Sequence, residues 1–398
     1  MTRAAALLLV VLLLVVLLLG SGCGGAKTPA SAAQIAPADA RAFLFVPGAG
    51  ESALTRRALA LSADGPMLLA LVDRARWSRI DDQHLELVQL ARGRIVAYAR
   101  PADQQQFDTL LDSEHLAHTR SSGWTVFAPT RAALDASRGQ RHLSETAWYR
   151  AAVAASGRRA TTMVALRGRA WVAVAADGGT VRRSVPGRGS GAPQPLAADI
   201  PADAVVAAVS RDPAELLHSL SFAAQAERLL GLPLDDLARA MPQGATLYAR
   251  AGSPIPSVTL LARGGTSAAA VRIVRDLAPG SPPAVRETVG GLLLDHVALG
   301  AVDLYYGRVD GTLVLTNDSH VALGGDRLAP RGLPRATAGW RFLDVKRAGQ
   351  ALEAFADLAG TQASVRRFAR SYGGLSSLLS YTTREGGIET TTLVIRPG

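Results

Sequence analysis

The sequence predicts an α+β protein: two divergent copies of a largely antiparallel sheet with helices packed on it, preceded by a signal peptide and a flexible tether. Three observations carry this. Short apolar segments are joined by glycine turns, as at Ala91-Arg92-Gly93 and Glu385-Gly386-Gly387, the pattern of hairpins in an antiparallel sheet. Several segments recur in the same order along the chain. The N-terminus joins basic Arg3 to an unbroken Ala, Leu and Val run from Ala4 to Leu19, followed by small residues, which has the form of an export signal.

That signal ends at Gly20-Ser21-Gly22-Cys23, and Cys23 is the only cysteine in the chain. Its placement resembles the lipobox of bacterial lipoproteins, in which the cysteine sulfur receives a diacylglyceryl group and the signal is cut just before it. Ser21 and Gly22 fit that pattern; Gly20 stands where an aliphatic residue is usual. Two other readings stay open. The apolar run could remain as an anchor, although it falls short of the roughly 20 residues that span a bilayer core. Cleavage could instead fall at the small-x-small site Ala30-Ser31-Ala32. A lipid anchor at Cys23 would be strong, at about 0.8 kcal/mol per buried methylene. Residues 24–35 would then hold the body up to ~40 Å from the bilayer at full stretch.

The repeat begins where the tether ends. Pro37-Ala38-Asp39-Ala40 leads into a strand at Arg41–Val46, and Pro201-Ala202-Asp203-Ala204 leads into one at Ala204–Ser210. Gly123-Trp124-Thr125-Val126-Phe127-Ala128 matches Gly311-Thr312-Leu313-Val314-Leu315-Thr316, and Asp177-Gly178-Gly179 matches Glu385-Gly386-Gly387. The expected organisation is a signal over 1–22, a tether over 23–35, a first unit over 36–185, a linker over 186–198 and a second unit over 199–398. The linker is read from the dense Gly, Pro and Ser of Pro186 to Pro195.

Each element follows from local pattern. In the first unit, a helix from about Glu51 to Leu61 precedes strands His84–Leu90 and Arg94–Arg100. A helix near Asp103–Leu111 leads to a hairpin of Glu114–Arg120 and Trp124–Ala128. Helices near Thr130–Ser137 and Ser144–Ala155 and strands Thr161–Arg167 and Ala170–Ala176 close it. The second unit continues with a helix from Asp212 to Leu230, with Asp212 as N-cap and Pro213 inside it. Strands Ala245–Ala251 and Ser257–Arg263, a helix Thr266–Leu277 and strands Arg286–Val289, Leu292–Ala298, Val302–Tyr306 and Thr312–Thr316 follow. Strand Trp340–Val345, helices Ala348–Leu358 and Gln362–Tyr372, and strands Leu375–Arg384 and Ile388–Ile395 end the chain.

The signal with its lone cysteine, the Pro-Ala-Asp-Ala strand, the Gly-Thr-Leu-Val-Leu-Thr strand, the Leu143–Ala155 segment with Trp148-Tyr149 and the closing Gly-Gly hairpin together resemble one family. It comprises bacterial, mainly actinobacterial, exported proteins carrying domain of unknown function 3352. The resemblance implies an exported, membrane-associated α+β protein. It implies no activity, no cofactor and no functional residues.

Composition narrows the chemistry. The 43 Lys and Arg against 33 Asp and Glu give a net charge of +10, almost all from arginine, since Lys27 and Lys346 are the lysines. The arginines are scattered, without the clustered patch or motif of a nucleic-acid binder, so no nucleic-acid partner is expected. With one cysteine no intrachain disulfide can form. Gly48-Ala49-Gly50-Glu51-Ser52-Ala53 is a loose dinucleotide fingerprint lacking the following βαβ unit, and Asp64 sits in a turn. Glu114-His115-Leu116-Ala117-His118 has histidines three apart, which a strand would place on opposite faces. Asp81-Asp82 and Asp235-Asp236 are neighbours in sequence without needing to converge, and Asp295-His296 reads as strand decoration. Tyr305-Tyr306, Trp340 and Phe342 read as core rather than groove. No nucleophile elbow, Walker loop or S-x-x-K motif occurs. The expectation is a non-catalytic protein with no cofactor and no metal, exported and held at the outer face of the cytoplasmic membrane by Cys23. Its partners would be that membrane and a cell-envelope protein or polymer. A solute-binding lipoprotein of a transporter and an envelope hydrolase are the alternatives.

Overall fold

A computed structural model describes residues 31–46, 53–66, 69, 85–157, 161–168, 170–187, 199–218, 238–239, 241, 243–252, 255–264, 283–299, 302–359 and 362–398. Cys23, the signal, Gly48–Ser52, Asp81-Asp82, Asp235-Asp236, the expected helix over Thr266–Leu277 and most of the 186–198 linker lie outside these residues. The architecture is α+β and mostly antiparallel sheet. It divides into two compact units, one within Met1–Ala49 and Trp77–Arg150, the other within Gly50–Arg76 and Ala151–Gly398.

The first unit is a sheet of β1 (Ala42–Val46), β2 (Leu85–Gln89), β3 (Ile95–Ala99), β4 (Ala117–Ser121) and β5 (Trp124–Ala128). The spatial order is β1-β2-β3-β5-β4, antiparallel throughout. The β4–β5 turn puts Ser122 at φ 50° and Gly123 at φ 79°, the left-handed pair that a tight hairpin demands. Side chains alternate between faces. On one face Phe127 meets Phe107 edge-on at 5.7 Å, from a helix over Gln104–Ser113. That helix is capped by Asp103, whose carboxylate accepts from Gln106 N at 2.9 Å. The other face is crossed by a short helix, Arg131–Asp135, capped by Thr130. Beyond it, Phe43 packs edge-on against Tyr149 at 5.4 Å.

The N-terminal edge of this unit is set by a buried carboxylate. Glu86, 3% exposed, accepts from Ser31 Oγ at 2.9 Å and from Ala32 N at 2.6 Å. It thereby caps a 3-10 turn, Ala32–Gln34, whose Ala32 and Ala33 are buried. Residues 31–35, expected as the end of the tether, are therefore packed structure: small side chains fit close to the sheet, and Glu86 satisfies the turn's first amide.

The second unit begins with a helix over Ala53–Leu61 and continues with β6 (Thr161–Arg167), β7 (Ala170–Asp177), β8 (Thr180–Pro186) and β9 (Ala204–Ser210). Next come β10 (Ala245–Arg250), β11 (Ser257–Arg263), β12 (Val285–Val289), β13 (Leu292–Leu299), β14 (Val302–Val309) and β15 (Thr312–Thr316). The last strands are β16 (Gly339–Asp344), β17 (Leu375–Glu385) and β18 (Ile388–Pro397). The order is β6-β7-β8-β18-β17-β16-β9-β10-β11-β15-β14-β13-β12, with each neighbouring pair antiparallel. Within it, β9-β10-β11-β15-β14 repeats the order β1-β2-β3-β5-β4. The meanders β6-β7-β8 and β16-β17-β18 meet back to back along β8 and β18, where Ser184 Oγ and Thr390 Oγ1 lie 3.0 Å apart.

Two apolar clusters cover the two faces of β9 to β15. Tyr306, Leu260, Leu313 and Met241 fill one; Tyr305, Leu261, Val314, Leu294 and Trp340 fill the other. The adjacent tyrosines thus serve opposite cores, and Phe342 packs against the second. Helix Val345–Ala359 packs on β17 and on helix Gln362–Tyr372. Asp64 takes a 2.6 Å ion pair with Arg183 of β8.

Several elements differ from the sequence expectation. β8 is a strand that the Arg182-Arg183 pair concealed, and it has a partner on each side, β7 and β18. For that reason residues 161–185, expected within the first unit, belong to the second compact unit. The strand expected from Glu114 begins at Ala117, because Glu114 ends the preceding helix and His115 takes φ 55°. The helix described after Asp212 is Pro213–His218, and the residues that follow to Leu230 lie outside the described ones.

Replacing Glu86 by Gln keeps the shape and removes the charge from two hydrogen bonds. The expected loss is about 1.5–3 kcal/mol of stability, read as a lower urea midpoint with an unchanged slope.

Candidate functional site

A polar cleft of about 730 Å³ lies on the first unit, on the sheet face opposite helix Gln104–Ser113. Its floor is one row of cross-strand neighbours. Tyr98 of β3 stands opposite Val126 of β5, and Val126 stands opposite Thr119 of β4. One end is the hairpin turn at Ser121 and Ser122, and another wall is Gln34 and Ile35, carried by the turn that Glu86 holds. The last wall is the loop from Ser137 to His142.

That loop is pinned by backbone geometry. Ala38 N donates to Arg141 O at 2.9 Å and Leu143 N donates to Ala36 O at 2.8 Å, framing an isolated bridge between Pro37 and His142. Gly139 runs so close to Pro37 that a Cβ there would lie 2.9 Å from the Pro37 Cβ. The second unit carries the same clamp: Ala202 N donates to Asp326 O at 3.1 Å, Leu328 N to Ile200 O at 2.9 Å, and Pro201 bridges Arg327.

Two polar atoms lining the cleft lack a hydrogen-bond partner among the described residues: Tyr98 Oη and His142 Nδ1. Tyr98 is 1% exposed, and burial pushes its pKa well up, so the hydroxyl keeps its proton; the nearby Ser137 works in the other direction. Ser137 Oγ donates to Leu134 O at 2.6 Å, which leaves its lone pairs free to accept from the Tyr98 hydroxyl beside it.

On the helix-covered face of the sheet, away from the cleft, Arg120 pairs with Asp108, whose carboxylate also accepts from Gln104 Nε2 at 2.7 Å. Burial works to raise the Asp108 pKa, but the Arg120 and Gln104 hydrogen bonds outweigh it and hold the group below its ordinary value of 3.8. Arg138 lies 4.0 Å from Asp135, which Arg131 also approaches at 3.4 Å. Among the described residues, no Asp or Glu lines the cleft itself.

The candidate residues of the sequence fall elsewhere. His115 sits in the turn after a helix, and His118 is 3.8 Å from Asp112. Asp295 pairs with Arg286 at 2.9 Å, leaving His296 to Asp303 at 2.9 Å and stacked on Tyr305. Tyr305, Tyr306 and Trp340 are buried. No group of three His, Cys, Asp or Glu suited to a metal occurs among the described residues. No described helix is long and apolar enough to cross a membrane. Sequence reasoning missed the cleft, since Tyr98 lies in the apolar run Ile95–Ala99 and reads as core; only strand pairing brings it beside Thr119.

No protein-family model matches the chain, and no curated protein matches it. Among solved structures, crystal form III of TP0453 is similar at 11% identity over 74% of this chain and 97% of that chain, with a TM-score of 0.18. Crystal form I of TP0453 gives 12% identity over 74% and 96%, with a TM-score of 0.20. Scores of this size carry no argument about fold or role.

Replacing Arg120 by Gln removes the main group holding the Asp108 pKa down, and an NMR titration should show that pKa rising toward 3.8. Because the folded pKa is depressed, the wild-type pair contributes stability above pH 3.8 and loses it as pH falls through the lower folded value. The variant should lose that acid-dependent component.

Proposed function

We propose that this is a lipid-anchored, extracytoplasmic, non-catalytic binding protein, built from two divergent copies of one α+β unit and standing at the outer face of the cytoplasmic membrane. The observation that carries the binding role is the polar cleft itself, lined by the Thr119, Ser121 and Ser122 hydroxyls, Gln34, Gln140 and Arg138.

Support for duplication comes from topology and sequence together. The order β1-β2-β3-β5-β4 recurs as β9-β10-β11-β15-β14, each block followed in the chain by a three-stranded meander. The Pro-Ala-Asp-Ala segments, the Gly-led strands β5 and β15, and the turns at Gly178 and Gly386 occupy equivalent positions. Support for the anchor comes from residues 1–23 and from the grip of Glu86. Cleavage after Ala32 would remove the Ser31 hydroxyl and the Ala32 amide that Glu86 holds; cleavage before Cys23 keeps both. The resemblance to the domain of unknown function 3352 family belongs to the same reading.

In membrane fractions, mass spectrometry of the wild type should show a chain beginning at acylated Cys23, and the Cys23→Ser form should leave the membrane. A wild type that retains residues before Cys23, or that is soluble, would sink the anchor. For the cleft, native mass spectrometry of detergent-extracted protein should show a bound small molecule in the wild type that is absent from Thr119→Trp, in which the indole fills the floor. Identical spectra would remove the binding role.

A further inference from the structure

We infer that the arginine face of helix Gln362–Tyr372 lies against anionic phospholipid headgroups, so that the second unit touches the membrane to which the chain is tethered. This rests on the membrane-anchored reading above, which brings the helix within reach of a bilayer, and adds a contact made by the folded body itself.

The arginines look scattered in the sequence, but the helical period gathers three of them. At about 3.6 residues per turn, Val365, Phe368 and Tyr372 share one side of the helix, and Arg366, Arg367 and Arg370 share the opposite side. The apolar side is half-buried. Phe368 and Tyr372 have ring centroids 5.0 Å apart, and a Cβ on Gly349 of the neighbouring helix Val345–Ala359 would lie 3.6 Å from Phe368 Cε1. That neighbour packs in turn on β17, so helix Gln362–Tyr372 forms an outer layer. Its three arginines are exposed.

These guanidiniums are also unbalanced. Elsewhere in the unit Arg183, Arg250, Arg286, Arg347 and Arg384 each meet a carboxylate. No Asp or Glu occurs in the sequence between Asp357 and Glu385. Among the described residues no carboxylate pairs with the three; Arg370 Nε donates to Arg366 O at 3.4 Å. Arg366 and Arg370 stand one turn apart, where like charges repel and destabilise a helix. Arg57 adds a further positive charge at the same end, donating to Ser371 O and Gly373 O and so closing the helix's last carbonyls. A plane of phosphate groups relieves this repulsion and matches the outward guanidinium forks. Because the apolar side faces the protein, the contact is made by charge, without the insertion of an interfacial helix. Each basic residue near an anionic surface favours contact by about fivefold, so the three together supply roughly a hundredfold. A tether raises the effect by keeping the helix near the surface.

The test is arginine footprinting with phenylglyoxal, read by peptide mass spectrometry, on the full chain held in nanodiscs of phosphatidylcholine alone or mixed with phosphatidylglycerol. At low salt, Arg366, Arg367 and Arg370 should react at least about tenfold more slowly in the anionic discs than in the neutral ones. Arg263 and Arg308, exposed on strands of the same unit, should react alike in both. Salt at 1 M shortens the screening length to about 3 Å and should remove the protection. Arg366→Gln should speed the reaction of the remaining two by about fivefold in anionic discs; Arg366→Lys should not, and neither should move the thermal midpoint. Equal rates in the two discs, or equal protection of Arg263 and Arg308, overturn the contact while the anchor stands. A soluble glycerol phosphate polymer that protects the three in neutral discs as strongly as anionic lipid does reassigns them to an envelope polymer and also overturns it. A chain that leaves discs of both kinds overturns the anchored reading and this contact together.

Discussion

The carboxylate of Glu86 is the group on which the first unit's organisation depends. A charge this buried is tolerated only when its lone pairs are met, and Ser31 and Ala32 meet them. The consequence propagates along the chain. The capped turn fixes Gln34 and Ile35; the next residues hook the 141–143 segment by two backbone bonds; that segment carries His142 into the cleft. Glu86 also shares a cross-strand row with Tyr98. One strand position therefore holds the 31–35 turn and stands beside Tyr98. In the second unit the same register position of the matching strand block is Thr246, whose hydroxyl has no partner among the described residues.

The strand blocks β1–β5 and β9–β15 share an order and differ in what covers it. Both carry a Pro-Ala-Asp-Ala segment clamped by backbone bonds, which tolerate changes of side chain. They differ at the row through Val126 and Val314. The second unit has a further hairpin, β12–β13, that brings Leu294 over its row, while the first leaves Tyr98 and Thr119 under a polar loop. An apolar fill stabilises, at roughly 1.5–3 kcal/mol per large side chain; a polar cleft gives that up.

Much of the fold was legible in the sequence. Strands β1, β5, β9, β11 and β15 follow from β-branched or aromatic runs bounded by Gly, Pro or Asp, which encode both extension and its end. What stayed hidden depended on partners distant in sequence. Val181 to Ser184, given no element by the sequence reading, becomes a strand because β18 supplies a second ladder. Ser31 to Ile35 reads as tether, and becomes packed because of a carboxylate more than fifty residues away. The cleft was hidden for the same reason: Tyr98, Val126 and Thr119 form a row only after three strands pair, and the sequence-level search favoured histidines and carboxylates that the structure disperses.

The pairing of β8 with β18 has a bearing on how the chain is made. Ser184 and Thr390 are separated by 206 positions. During synthesis, the β8 edge is complete on its β7 side long before its other neighbour emerges. An open ladder of this kind invites pairing with a foreign strand, and contacts of such long sequence separation form slowly. The basic pair Arg182-Arg183 on β8 is suited to that interval, since like charges along an unpaired edge discourage two nascent chains from joining before β18 arrives.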